Sequence, residues 1–139
     1  MNDAANVLCF TGMLLFLLGL LNGFAIPKLR SPRMGLAAHL TAVQCGTFLI
    51  AVGLLWPRLA FSLMWSGVLA HALWASLYVL WLALLLAAAF GAGSSFQIAG
   101  QGMTASAPKQ GLVNALLAIS TLVCTAAVVA VLILWRWRA

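Results

Sequence analysis

The sequence predicts an all-α fold, an integral membrane four-helix bundle. Three observations predict it. Of 139 residues, 65% are hydrophobic and only 6% are charged, against about 25% charged in a soluble domain, so much of the surface must face lipid. The chain contains four apolar runs, each long enough to cross a hydrocarbon core of about 30 Å. The basic residues sit between or beside the runs rather than inside them, the pattern of membrane flanks.

The elements follow in order. The first run, 7–26, ends at Pro27. Asp3 stands where a signal peptide would carry basic residues, and no small-residue cleavage pattern follows, so the run reads as a retained helix. The second, 34–56, ends at Pro57. The third, 59–90, is longer than a straight crossing needs, which implies tilt or projection beyond the bilayer. The fourth spans 112–135. Short links at Lys28–Arg33 and Pro57–Arg58 make helices one to three antiparallel neighbours. The Gly/Ser-rich stretch 91–110 reads as a loop, and loops of that length are often lids or linkers. The whole chain, 1–139, reads as one transmembrane domain. Strands are excluded because no run alternates and too few are present for a barrel.

Gly12, Gly19 and Gly23 share one face of helix one, and Gly46 and Gly53 lie seven apart on helix two. Small residues let helix backbones approach closely in lipid. The pattern predicts tight packing, within the chain or between copies, and a homo-oligomer is expected because four helices bury little surface. Lys28, Arg30, Arg33 and Lys109 lie on one side, and Arg58, Arg136 and Arg138 on the other, which favours the first side as cytoplasmic. The net charge of +6 therefore marks membrane flanks, and no nucleic-acid partner is expected. Cys9, Cys45 and Cys124 lie within apolar runs without metal spacing and read as small buried side chains.

The polar residues gather toward one end. Counting from the Pro27–Arg33 side, Asn22 lies about 8 Å deep, His39 about 9 Å, and Asn114 about 5 Å. If the third helix begins at Leu59, His71 lies about 20 Å from Arg58 and so about 10 Å from the same side. One polar residue from each helix thus falls in a common shell, with Gln44, Thr41, Ser76 and Ser120 near it. Such groups face the bundle interior and mark function, or only glue helices together. His71, Trp74 and Tyr78 share a face of helix three, an aromatic wall suited to a flat ligand with one polar group. Tyr78 and Trp81 also read as interfacial anchors. Asp3, the sole acidic residue, lies outside the helices, which excludes carboxylate-pair chemistry and proton-coupled export through a buried carboxylate.

The stretch Gly19–Leu40, with Gly46–Ile50 and Gly53–Leu59, resembles the signature of the hydroxylaminobenzene mutases. Leu73–Ala75 and Ile98–Gly102 add weaker matches, so the resemblance covers nearly the whole chain. It implies a membrane isomerase that moves the hydroxyl of an arylhydroxylamine onto the ring, giving a 2-aminophenol in nitroarene degradation. The chemistry asks for an acid to release the N–O oxygen, an aromatic surface for the ring cation, and a base. His39 and His71 are the catalytic candidates, because histidine titrates near neutrality. Asn22, Trp74, Tyr78, Asn114 and Gln44 are the substrate-binding candidates. The sequence requires no cofactor. His39 and His71 could instead jointly ligate a metal or haem iron acting as Lewis acid. Two rival readings stand beside the isomerase: a haem-binding membrane electron carrier, and a small transporter or structural helix bundle. The expected location is the cell membrane, as a multi-pass protein.

Overall fold

The computed structural model describes residues 3–59, 61–96, 98–100 and 102–136. Arg138, named above, lies outside them, as does Gln101 within the Ile98–Gly102 match. Four helices follow one another: α1 (Asp3–Ala25), α2 (Pro32–Leu59), α3 (Leu63–Phe90) and α4 (Ala107–Arg136), with one 3-10 turn (Ile26–Lys28) after α1. No strand occurs among the described residues. At 1.5 Å per residue, helices of 23 to 30 residues are about 35–45 Å long, enough to span a bilayer. Their mean hydropathy over the best windows runs from 1.7 to 2.7. The outer surface is apolar, with Phe10, Phe24 and Leu122 at least 70% exposed, as expected where the surroundings are acyl chains.

The run edges differ from the helix edges, and each difference has a local cause. α2 continues through Pro57 to Leu59 rather than stopping before it. A proline in the last turn removes a single hydrogen bond, and the buried Trp56 and Leu59 hold that turn in place. α3 begins at Leu63, after the extended Ser62, although the apolar run shows no break there. α4 begins at Ala107 because Ser106, Pro108 and Lys109 make a good first turn that is too polar to register as a membrane run. The Ser106 carbonyl accepts from the Gln110 N–H at 3.0 Å, and Pro is tolerated where no N–H is needed.

The tightest interface joins α1 and α2. A β-carbon on Gly12 would stand 2.8 Å from the Gly46 carbonyl oxygen, and one on Gly46 would stand 2.7 Å from the Phe16 nitrogen. The glycine faces therefore meet within the chain. Tyr78 crosses from α3 to α1, its hydroxyl donating to the Thr11 carbonyl at 2.8 Å. Trp56 crosses from α2 to α3, its indole N–H donating to the Ser66 hydroxyl at 2.8 Å. α4 packs chiefly on α3.

The segment between α3 and α4 is folded upon itself. Gly91 has a φ of 68° and ends α3 in a left-handed turn, a conformation glycine adopts freely. Gly93 donates to the Met103 carbonyl at 3.2 Å and Met103 to that of Gly100 at 2.8 Å. Ser31 donates its N–H to the Ala88 carbonyl at 3.0 Å, which ties the α1–α2 link to the end of α3.

Gly46→Leu is expected to separate α1 from α2 and to lower the melting temperature in detergent sharply, overpacking costing about 1–3 kcal/mol. Gly67→Ala, where nothing lies within 4 Å, should leave melting unchanged or raise it. Thermal-shift measurements on the two purified variants check the contrast.

Candidate active site

Two hydrogen bonds and one close backbone contact define the environment of His39. Its ring Nδ1 lies 2.7 Å from the Gly19 carbonyl oxygen. A carbonyl only accepts, so Nδ1 carries the proton and donates, and in the neutral ring Nε2 keeps its lone pair. A β-carbon on Gly23 would stand 3.2 Å from that same Nδ1, so the ring rests on the bare backbone of α1. Asn22, beside Gly23, is buried and donates from Nδ2 to the Gly35 carbonyl at 3.4 Å. Gly35 is one helical turn before His39 on α2. The Asn22 Oδ1 atom is buried without a partner, and a buried unsatisfied acceptor is costly.

His71 lies elsewhere. Its ring Nδ1 takes the Gly67 carbonyl of its own helix at 2.8 Å, and the residue is exposed. The Ser31–Ala88 bond sets a common level for α2 and α3. Measured from it, His39 lies eight residues down α2, about 12 Å, and His71 seventeen residues down α3, about 25 Å. Levelled instead on the Trp56–Ser66 bond at the other end, the separation is about 18 Å, so by either level the two histidines stand well apart along the axis. The common polar shell therefore loses His71. A helix starting at Leu59 would lift His71 into that shell, but α3 begins at Leu63 and most of it lies above His71. Within one chain the two histidines are too far apart along the axis to share a metal. Among the described residues no group of three or more His, Cys, Asp or Glu could hold a metal ion. Each ring, with Nδ1 on a backbone carbonyl, presents Nε2 in the fixed orientation that a ligating histidine needs, but of the two only His39 lies in the polar shell beside Asn22.

The remaining candidates fall in two further places. Trp74 and Tyr78 pack edge to face with centroids 5.8 Å apart, and His71 and Trp74 lie 6.0 Å apart, so the aromatic wall exists. Tyr78 is committed to Thr11 on α1. Asn114 is exposed, and its Oδ1 accepts from the Ser95 hydroxyl at 2.7 Å and from Gln110 at 3.0 Å. It anchors the α3–α4 segment on α4. Gln44 is exposed on α2.

Trp81 gains weight from the structure. It continues the face of Trp74 and Tyr78, packs against the core, and has a buried indole N–H without an acceptor, as does Trp74. Seven residues below Ala88, it sits about 10 Å down, at the depth of His39. Its spacing from Trp74 was the available signal, obscured because tryptophan near a helix end also serves as an interfacial anchor.

A cavity of about 200 Å³ lies between α2, α3 and α4 toward the Arg58 end, lined by residues such as Phe48, Leu73 and Val131. Its lining is wholly apolar, and it offers nothing to protonate or orient a polar substituent.

Residues 4–139 match the styrene oxide isomerase family. The chain belongs to that family. It is 41% identical over 131 residues to the hydroxylaminobenzene mutase HabB of Ectopseudomonas oleovorans, covering 91% of this chain and 77% of the relative. It is 40% identical over 98 residues to the mutase HabA of the same organism, covering 70% of this chain and 73% of the relative. The resemblance read from the motifs is thus borne out. No solved structure matches the chain.

Tyr78→Phe removes the α3–α1 bond without altering the ring. The expected cost is about 0.6 kcal/mol of stability, seen as a slightly lower melting temperature. Asn114→Ala should instead increase protease cleavage within the α3–α4 segment, read by limited proteolysis and mass spectrometry.

Proposed function

We propose that this protein is a membrane isomerase that converts arylhydroxylamines of the hydroxylaminobenzene type to 2-aminophenols, with His39 as its proton-transfer residue. The observation that carries the reading is the pairing of an oriented histidine with an orphaned amide. His39 is held by a carbonyl of α1, and the partnerless Asn22 Oδ1 belongs to the residue beside Gly23, on which the ring rests. The two mutase relatives supply the substrate class.

The protonated His39 donates from Nε2 to the hydroxyl oxygen of the substrate. The N–O bond breaks heterolytically, water departs, and the positive charge spreads from nitrogen into the ring. The same oxygen returns at the ortho carbon and gives its extra proton back to Nε2. A proton then moves from the ortho carbon to nitrogen, restoring aromaticity, and the product is an isomer of the substrate. Asn22 Oδ1 accepts the substrate N–H and fixes which ortho position faces the departing oxygen. Trp81, at the depth of His39, offers its ring face to the cation, with Trp74 and Tyr78 extending that wall. Keeping bulk water out suppresses solvent attack at the para carbon.

A metal or haem iron ligated through His39 Nε2 would supply Lewis-acid activation of the same oxygen. The haem-binding electron carrier is disfavoured in the form that places His39 and His71 of one chain on the same iron, because the two lie far apart along the axis. His39 is partly exposed, and a second copy of the chain in a homo-oligomer would complete its enclosure. The mutase reading places the protein in the cell membrane, where an apolar substrate concentrates.

Membranes containing the protein should convert hydroxylaminobenzene to 2-aminophenol, identified by chromatography. His39→Ala should lower the rate about 10²–10⁴-fold, the usual contribution of general acid–base catalysis, and His71→Ala should leave it within a factor of a few. Absence of 2-aminophenol, or equal losses in both variants, would sink the reading. A visible spectrum of the purified protein separates the two modes of oxygen activation. A Soret band lost in His39→Ala assigns Nε2 to iron, and a featureless spectrum in an active preparation assigns it to the proton.

A further inference from the structure

We propose that the membrane rim formed by the α1–α2 link, the end of α3 and the start of α4 is a binding site for the phosphodiester headgroup of an anionic phospholipid. Arg30 and Lys109 come from elements far apart in sequence and converge on one residue, Phe90. Arg30 donates from Nη1 to the Phe90 carbonyl at 3.1 Å. Its side chain lies along Gly91, where a β-carbon would stand 3.0 Å from Cδ. Lys109 places its ammonium 5.0 Å from the centroid of the Phe90 ring. Both cations are therefore held by the fold rather than trailing freely toward water, and both residues remain exposed.

Lys28 and Arg33, also exposed, carry the same sign on the same rim. The chain has one acidic side chain, Asp3, and it begins α1 at the opposite end of the bundle. Four positive charges thus face the headgroup layer with no carboxylate to answer them. A guanidinium fork beside an ammonium suits a phosphate oxygen pair.

A lipid is favoured over a free anion by what lies next to the charges. Phe24 is 82% exposed, Leu36 46% and Leu112 48%. Each is separated by three or four residues from Lys28, Arg33 or Lys109, so along the helices an apolar surface for acyl chains lies one turn toward the membrane centre from each cation. A bound headgroup would bridge the α1–α2 link to α4 and close over the end of α3.

The test uses the full-length protein in nanodiscs of phosphatidylcholine with increasing phosphatidylglycerol, read by native mass spectrometry and melting temperature. Phosphatidylglycerol should be retained preferentially and should raise the melting temperature. Lys109→Gln, which leaves the backbone cap of α3 intact, should weaken the preference about fivefold, the effect of one basic residue near an anionic surface. Arg30→Gln should weaken it at least as much. Arg58→Gln, at the opposite rim, should leave it unchanged. Equal retention of the two lipids, or an equal loss in Arg58→Gln, would overturn the proposal. Displacement of the lipid by millimolar inorganic phosphate at constant ionic strength would assign the rim to a soluble anion and overturn the lipid assignment. Mutase activity of the variants in detergent reports folding separately, so failure of the headgroup site and failure of the isomerase reading are distinguishable.

Discussion

The close approach of α1 to α2 governs the rest of the molecule. Ordinary side chains keep helix axes about 8–10 Å apart. Here Gly12 and Gly46 face each other so closely that neither could carry a β-carbon without meeting the other's backbone or that of Phe16. Gly19, Gly23 and Gly35 continue the seam toward the Lys28 rim. Only across so narrow a seam can the short imidazole of His39 reach a backbone carbonyl on the facing helix. The same approach brings Asn22 to Gly35. A stripe of small residues, required in lipid because apolar burial drives helices together weakly there, thereby also sets the geometry of the candidate site.

The other helices are held by fewer and more specific contacts. α3 is joined to α1 through Tyr78 and to α2 through Trp56, each by one hydrogen bond. Such bonds average about 0.6 kcal/mol in membrane proteins, so their value lies in setting register. Against these satisfied groups stand four buried donors or acceptors without a partner among the described residues: Asn22 Oδ1, Trp74 Nε1, Trp81 Nε1 and, in the first turn of α4, Gln110 Oε1. Their desolvation weakens the empty protein and rewards a ligand that supplies the missing hydrogen bonds.

The helices were legible because crossing a bilayer demands a length and a composition that few other structures share. The edges were less so. A membrane run is recognised by apolarity alone. The polar first turn at Ala107 was therefore missed, and the unbroken apolar stretch through Leu59 hid the start of α3. That second error carried into the site. Counting His71 from Leu59 raised it into the polar shell, whereas counting from the Ser31–Ala88 bond places it about 13 Å below His39. Asn22 and His39 were legible because both flank the Pro27–Arg33 link and are paired by chain connectivity. Asn114 was placed in the shell by depth alone, and depth says nothing about direction: it turns to Ser95. Trp81 shares its helical face with Trp74, but its buried, partnerless N–H is visible only in three dimensions.

One histidine is sufficient for the proposed isomerisation because the proton balance closes on itself. The proton given to the departing hydroxyl returns when the oxygen rejoins the ring, so no second acid or base need be regenerated from water. A ring held by Nδ1 on the Gly19 carbonyl presents the same Nε2 atom to both steps. The oxygen must then leave and return near one point, which favours the adjacent ortho carbon over the distant para carbon. A second histidine about 13 Å away along the axis could not take part without the oxygen or the substrate travelling between them. A mechanism confined to one edge of the ring therefore makes no use of His71 at that distance.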